Sequence, residues 1–136
     1  MTTVATQERT VVVEREMAHP PEKIWRALTE PHLIAEWLMN NDFKPVVDHR
    51  FKFTADWGSV DCQVTAIEPN KTLSYTWGAF GVGTVVTWTL TASGAGTRVS
   101  MEQAGFPLSQ ERAFQGAKMG WPRFFAGLEQ VLARID

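Results

Sequence analysis

The sequence predicts an α+β fold: a curved antiparallel sheet of about six or seven strands wrapped around a long C-terminal helix, with two short helices after the first strand. Three observations carry this expectation. Phe114, Ala117, Trp121, Phe124, Leu128, Val131 and Ile135 recur at steps of three and four, which draws one apolar stripe on a helix of roughly six or seven turns. Between Thr10 and Gly105 the apolar residues instead alternate, with many β-branched and aromatic side chains, as half-buried strands require. Gly, Pro, Asn and Asp clusters separate those segments. A helix that follows a run of antiparallel strands buries its stripe on the concave face of the sheet, and a sheet curled around a helix leaves a cavity between them.

In chain order, Thr10 to Met17 is the first strand, stopped at His19-Pro20-Pro21. Pro21 to Leu28 is a short helix, with Pro tolerated in its first turn and Glu22 favoured by the helix dipole. Ile24, Trp25, Ala27 and Leu28 form its inner face. Pro31 opens a second short helix carrying Leu33, Ile34 and Trp37, and Met39 to Asp42 reads as a loop. Strands follow at Arg50–Ala55, Val60–Ile67, Thr72–Trp77, Thr84–Thr91 and Arg98–Gln103. Their turns fall at Asp56-Trp57-Gly58, Glu68-Pro69-Asn70-Lys71, the glycine-rich Gly78 to Gly83, and Ser93-Gly94-Ala95-Gly96. Gly105-Phe106-Pro107 ends the sheet, and Ser109 is an imperfect N-cap for the last helix. Gly116 and Gly120 each weaken that helix by about 1 kcal/mol relative to Ala. Pro122 interrupts it further, so a break or kink is expected near Gly120.

The 136 residues are expected to form a flexible start at residues 1–9 and one domain at residues 10–136. A net charge of −2 with no basic run argues against nucleic acid or an anionic membrane as partner, since phosphate neutralisation needs clustered Lys and Arg. A single Cys, Cys62, excludes an intrachain disulfide and fits a reducing, cytoplasmic setting. Met1 to Glu8 lacks the apolar core of a signal peptide, and no segment reaches the length of a membrane span. Six Trp and eight Phe supply either core or ligand contacts.

Many short runs match one known family in the right order. They are Pro20 to Pro31 ending at Trp37, Val64-Thr65-Ala66-Ile67-Glu68-Pro69 with Leu73 to Trp77, and Val86 to Leu90. Gly96-Thr97-Arg98-Val99, Gly105-Phe106 and Gly120-Trp121 follow. On these residues the chain, from about Thr10 to Asp136, resembles the START-like (SRPBCC, Bet v 1-like) superfamily. The resemblance is to the branch related to the C-terminal domain of the activator of the ninety-kilodalton heat-shock protein ATPase. It implies a helix-grip fold. Members of the superfamily include apolar-ligand binders, polyketide aromatase/cyclases, self-resistance proteins and stress-response proteins, so the fold leaves the activity open.

Residue chemistry narrows the choice. His19, His32 and His49 lack metal-ligand spacing and sit at turns or helix edges, so no metal site and no cofactor are expected. Cys62 shares a strand face with Val60, Val64 and Ala66 and reads as a small hydrophobe without an activating partner. Asp61 and Glu102 fall on the opposite face, toward solvent, and Asp56 and Glu68 lie on turns. Arg15 and Gln103 share parity with inward apolar residues; a polar group on an inward face needs a partner, whether a ligand head, buried water or the other of the two. The aromatics Phe51, Phe53, Trp57, Tyr75, Trp77, Trp88, Trp121 and Phe124 are core by default, with some facing the gap. The lone tyrosine, Tyr75, could hydrogen-bond a ligand carbonyl. The Gly78–Gly83 loop lacks a phosphate-cradle ending and reads as a mobile lid carrying Phe80 and Val82.

The function expected is binding of a small apolar or aromatic molecule between sheet and C-terminal helix. Phe51, Phe53, Cys62, Tyr75, Trp77, Trp88, Met101, Gln103, Ala117, Trp121 and Phe124 are the candidate contacts, and no catalytic residue is nominated. Two alternatives follow from the resemblance: a protein-interaction or co-chaperone module, which needs a filled cavity and an outer patch, and an aromatase/cyclase-like enzyme, which needs two polar groups converging on the ligand.

Overall fold

Pairing between strands distant in sequence organises the chain. The computed structural model describes residues 8–79 and 81–136. Strands β1 (Glu8–Met17), β2 (Asn40–Asn41), β3 (Arg50–Ala55), β4 (Gly58–Glu68), β5 (Thr72–Ala79), β6 (Val82–Ser93) and β7 (Gly96–Pro107) form one sheet. Its order is β1-β7-β6-β5-β4-β3-β2, with every neighbouring pair antiparallel. Helices α1 (Pro21–Thr29) and α2 (Pro31–Trp37) follow β1, and α3 (Glu111–Arg134) closes the chain. This is the α+β helix-grip arrangement that alternation and helical spacing predict.

The short helices are organised by proline and one indole. Each starts with Pro in its first turn, and Glu30 serves both as the C-cap of α1 and the N-cap of α2. Trp37 Nε1 donates to Ala27 O at 2.8 Å, tying α2 to α1. Its ring meets Trp88 of β6 edge-on, with centroids 5.5 Å apart.

Several boundaries differ from the sequence expectation, each for a physical reason. Glu8 and Arg9 already belong to β1, while residues 1–7 of the expected flexible start lie outside the described residues. Met39–Asp42 is not all loop, because Asn40 and Asn41 pair with Thr54 and Phe53. The Gly78–Gly83 segment is a tight hairpin in which Gly78 pairs with Gly83 and Ala79 with Val82. Val82 is therefore a strand residue, and Phe80 of the expected lid lies outside the described residues. The run Gly105-Phe106-Pro107 extends β7 instead of ending it. A register shift opposite Arg9/Thr10 places Gly105 as an extra residue at φ +103°, the positive φ that glycine tolerates in a bulge. A second shift between Val64 and Ala66 turns Ala66 outward, off the face it was expected to share with Cys62.

Helix α3 runs unbroken for 24 residues, with Pro122 inside it. The expected break at Gly120 is absent. Burial of Trp121, Phe125, Leu128, Val131 and Leu132 outweighs the backbone bond that proline removes. The inner stripe also turns slightly from the expected line. Phe125, fully buried and stacked on Trp88 at 5.5 Å, takes the central place, and Phe124 is half-buried beside it.

Candidate functional site

One half of the hollow is filled. Phe51 and Phe53 of β3 lie 5.3 Å apart, and Tyr75 of β5 is 5.5 Å from Phe51. Trp88 Nε1 donates to the Tyr75 hydroxyl at 3.0 Å. Met101 and Cys62 are buried in the same core. Burial pushes the Tyr75 hydroxyl well up from its ordinary value, although the Trp88 bond pulls the other way. Burial also raises the Cys62 thiol, and the Asp61 and Asp42 carboxylates add to the effect. Phe51, Phe53, Cys62, Tyr75, Trp88 and Met101, all expected at the ligand, do not reach the open cavity. Their large rings interlock and consume the space that period-two parity assigned to a ligand.

The other half is open. A cavity of about 480 Å³ lies where the β3–β4 and β5–β6 hairpins and the end of β7 come together beneath the first half of α3. Trp77 and Ala79 of β5, Val82 and Thr84 of β6, and Gln103 and Phe106 of β7 make the sheet wall. Ala113, Gly116, Ala117, Gly120, Trp121 and Phe124 make the helix wall. Met39, Trp57, Gln110 and Arg112 complete the lining. Exposed Gln110, Arg112 and Gly116 place the opening on the solvent side of the α3 N-terminal turns. Trp77, Gln103, Ala117, Trp121 and Phe124 of the expected contacts are thus brought together here.

A polar chain crosses the cavity wall. Trp121 Nε1 donates to Gln103 Oε1 at 2.7 Å, Gln103 Nε2 donates to Thr84 Oγ1 at 2.9 Å, and Thr84 Oγ1 donates to Trp77 O at 3.0 Å. Because an indole nitrogen only donates, the bond from Trp121 fixes which end of the Gln103 amide is oxygen. Gln103 is inward, as parity predicts, and its side-chain partners are Trp121 and Thr84, not Arg15. Arg15 instead lies at the sheet edge, 3.4 Å from Glu129 Oε1 and 5.7 Å over the Phe125 ring.

Sequence reasoning missed part of the lining. Thr84 shares the parity of Val86 and Trp88, so its inward position was readable. Phe106 is inward only because of the Gly105 bulge, which parity does not foresee. Trp57, expected in the core, sits half-exposed on the β3–β4 turn at the cavity. Gly116 and Gly120, read only as helix weakeners, face open space: a Cβ built on either meets nothing within 4 Å. Together with Ala113 and Ala117 they leave the cavity its room.

A seven-stranded antiparallel sheet gripping a C-terminal helix over a cavity defines the START-like helix-grip class. The family model described as "Activator of Hsp90 ATPase homolog 1-like protein" matches residues 18–133, and the chain belongs to that family. Among solved structures, protein MLL2253 from Mesorhizobium loti is 62% identical, with 94% of this chain and 99% of that chain covered and a TM-score of 0.91. DynU16, from the dynemicin biosynthetic locus, is 23% identical with a TM-score of 0.83. The match covers 92% of this chain and 47% of that one, so this chain spans about half its length. The Aha1 dimer from Colwellia psychrerythraea is 23% identical, with 91% and 96% covered and a TM-score of 0.82. The last two likenesses concern the fold alone. A comparison with curated proteins gives no match.

Proposed function

We propose that this protein binds a small, flat apolar or aromatic molecule in the α3 cavity. The observation that carries the reading is the cavity itself. At about 480 Å³ it has the size of small-molecule pockets, roughly 300–1,000 Å³, which combine apolar walls with a few placed polar groups. Aromatic faces line the sheet side, glycine and alanine hold the helix side back, and Gln103 and Thr84 supply directional contacts. A protein-interaction role without a ligand would be better served by a filled hollow. The setting proposed is the cytoplasm, where the buried thiol of Cys62 stays reduced. No described helix is long and apolar enough to cross a membrane.

The test is titration of the protein with neutral flat aromatics such as 2-naphthol and 2-naphthamide, followed by amide chemical shifts. Shifts concentrated at Thr84, Gln103 and residues 113–124 are expected. A Gly120→Leu variant, which fills the cavity from the helix side, should lose them while keeping its fold. If no compound moves those amides, the reading is wrong.

A further inference from the structure

The cavity wall is electrically lopsided. Among the described lining residues Arg112 is the one charged side chain, with no Asp or Glu beside it. Nor does Arg112 form an ion pair or hydrogen bond among the described residues. The carboxylate next to it in the chain is already engaged: Glu111 is held by Arg9 at 2.7 Å and by Gln115 at 2.8 Å. An uncompensated guanidinium at the mouth of a low-dielectric cavity attracts anions, because apolar walls focus its field. Its planar fork also fits a carboxylate in a two-bond geometry.

The inner end of the cavity adds a second requirement. Gln103 spends one amide N–H on Thr84, and its oxygen accepts from Trp121. The second N–H has no acceptor among the described residues, and the oxygen keeps a free lone pair. Thr84 has already given its hydroxyl proton to Trp77 O. The wall therefore offers one donor and one acceptor side by side at Gln103, which suits a ligand hydroxyl or carbonyl. Between Arg112 and Trp121, the indole bonded to Gln103, α3 rises about 13 Å. The cationic mouth and the amide end are thus set apart along the helix, as a molecule with polar groups at opposite ends requires.

We infer that the ligand is an amphiphilic aromatic acid, its carboxylate on Arg112 at the mouth, its ring system over Trp77 and Phe106, and its far polar group on Gln103. This inference rests on the cavity-binding reading and names the ligand class for it.

The experiment compares 6-hydroxy-2-naphthoic acid with its neutral isostere 6-hydroxy-2-naphthamide near neutral pH, using tryptophan emission for affinity and amide shifts for location. The acid is expected to bind about tenfold tighter, the scale of a charge-assisted hydrogen-bond pair. Arg112→Gln should bring the acid down to the affinity of the amide, and Arg112→Lys should recover part of the difference. Added salt should narrow the gap. Equal affinity of acid and amide for the unmodified protein overturns the inference, as does an acid preference that survives Arg112→Gln. In either case the amide shifts at Thr84 and Gln103 leave the cavity-binding reading standing. If neither compound moves those amides, both readings fall.

Discussion

Trp121 on α3 donates its indole N–H to Oε1 of Gln103 on β7 at 2.7 Å, with both side chains 2% exposed. This bond joins helix to sheet at the inner edge of the cavity, so one glutamine serves both the fold and the wall. Replacing it with Leu strands the Trp121 N–H and takes a partner from Thr84. An unsatisfied buried donor costs about 1–3 kcal/mol, and Gln103→Leu should lower stability by that amount in urea denaturation. An unchanged midpoint would show that water replaces the amide at no cost.

Phe124 and Phe125 are adjacent but have different work. Phe125 is 0% exposed and stacks on Trp88, whereas Phe124 is half-buried and lines the cavity. Phe125→Ala should cost about 3–5 kcal/mol. Phe124→Ala should cost clearly less stability yet weaken aromatic probes. Paired denaturation and titration curves check the contrast; equal losses of stability would remove it.

Glycine substitutions should split by location. A Cβ on Gly96 would lie 2.3 Å from Met17 O, a backbone atom that cannot swing aside. Gly96→Ala should therefore disrupt the β1–β7 end and lower the melting temperature. Gly120→Ala meets nothing and should raise helix stability by about 1 kcal/mol. Thermal melts of the two variants should move in opposite directions.

Alkaline pH should destabilise the fold in two stages. Burial raises both Cys62 and Tyr75 above their ordinary values. A group whose folded pKa is raised gives stability that is fully present below its unfolded pKa and is lost as pH climbs toward the folded value. The unfolded thiol ionises near about 8.5 and the unfolded phenol near about 10. Urea midpoints should decline from about pH 8.5, by up to about 1.4 kcal/mol per pH unit for the thiol alone. The decline should steepen above about pH 10. Cys62→Ala should remove the first stage and keep the second.

Pro122 sits inside α3 without an N–H to give the preceding turn. Pro122→Ala restores that donor and should stabilise the helix by roughly 1–3 kcal/mol, read as a higher urea midpoint. A drop would mean that the neighbouring backbone depends on the proline ring.

Where one periodicity rules, the residues announce their places. Val86, Trp88 and Leu90 are inward because β6 is regular, and Leu128 and Val131 are inward because α3 is. Legibility fails where the period is interrupted or where space, not contact, is the feature. The Gly105 bulge carries Phe106 into the cavity, and the shift after Val64 turns Ala66 away. Interlocking of Phe51, Phe53 and Tyr75 decides which half of the hollow is filled, and ring packing in three dimensions leaves no trace in linear spacing. Arg112 is invisible for another reason: only the assembled wall shows that every other charge of the described residues stands elsewhere.

The division of α3 into a well-packed C-terminal half and a sparsely packed N-terminal half has an evolutionary consequence. Turns carrying Leu128, Val131 and Leu132 tolerate little change, because each is almost completely enclosed. Turns carrying Gly116 and Gly120 tolerate added atoms sterically. Relatives that keep the same scaffold can therefore diverge in what they accommodate by exchanging one or two small residues, with no new framework to invent.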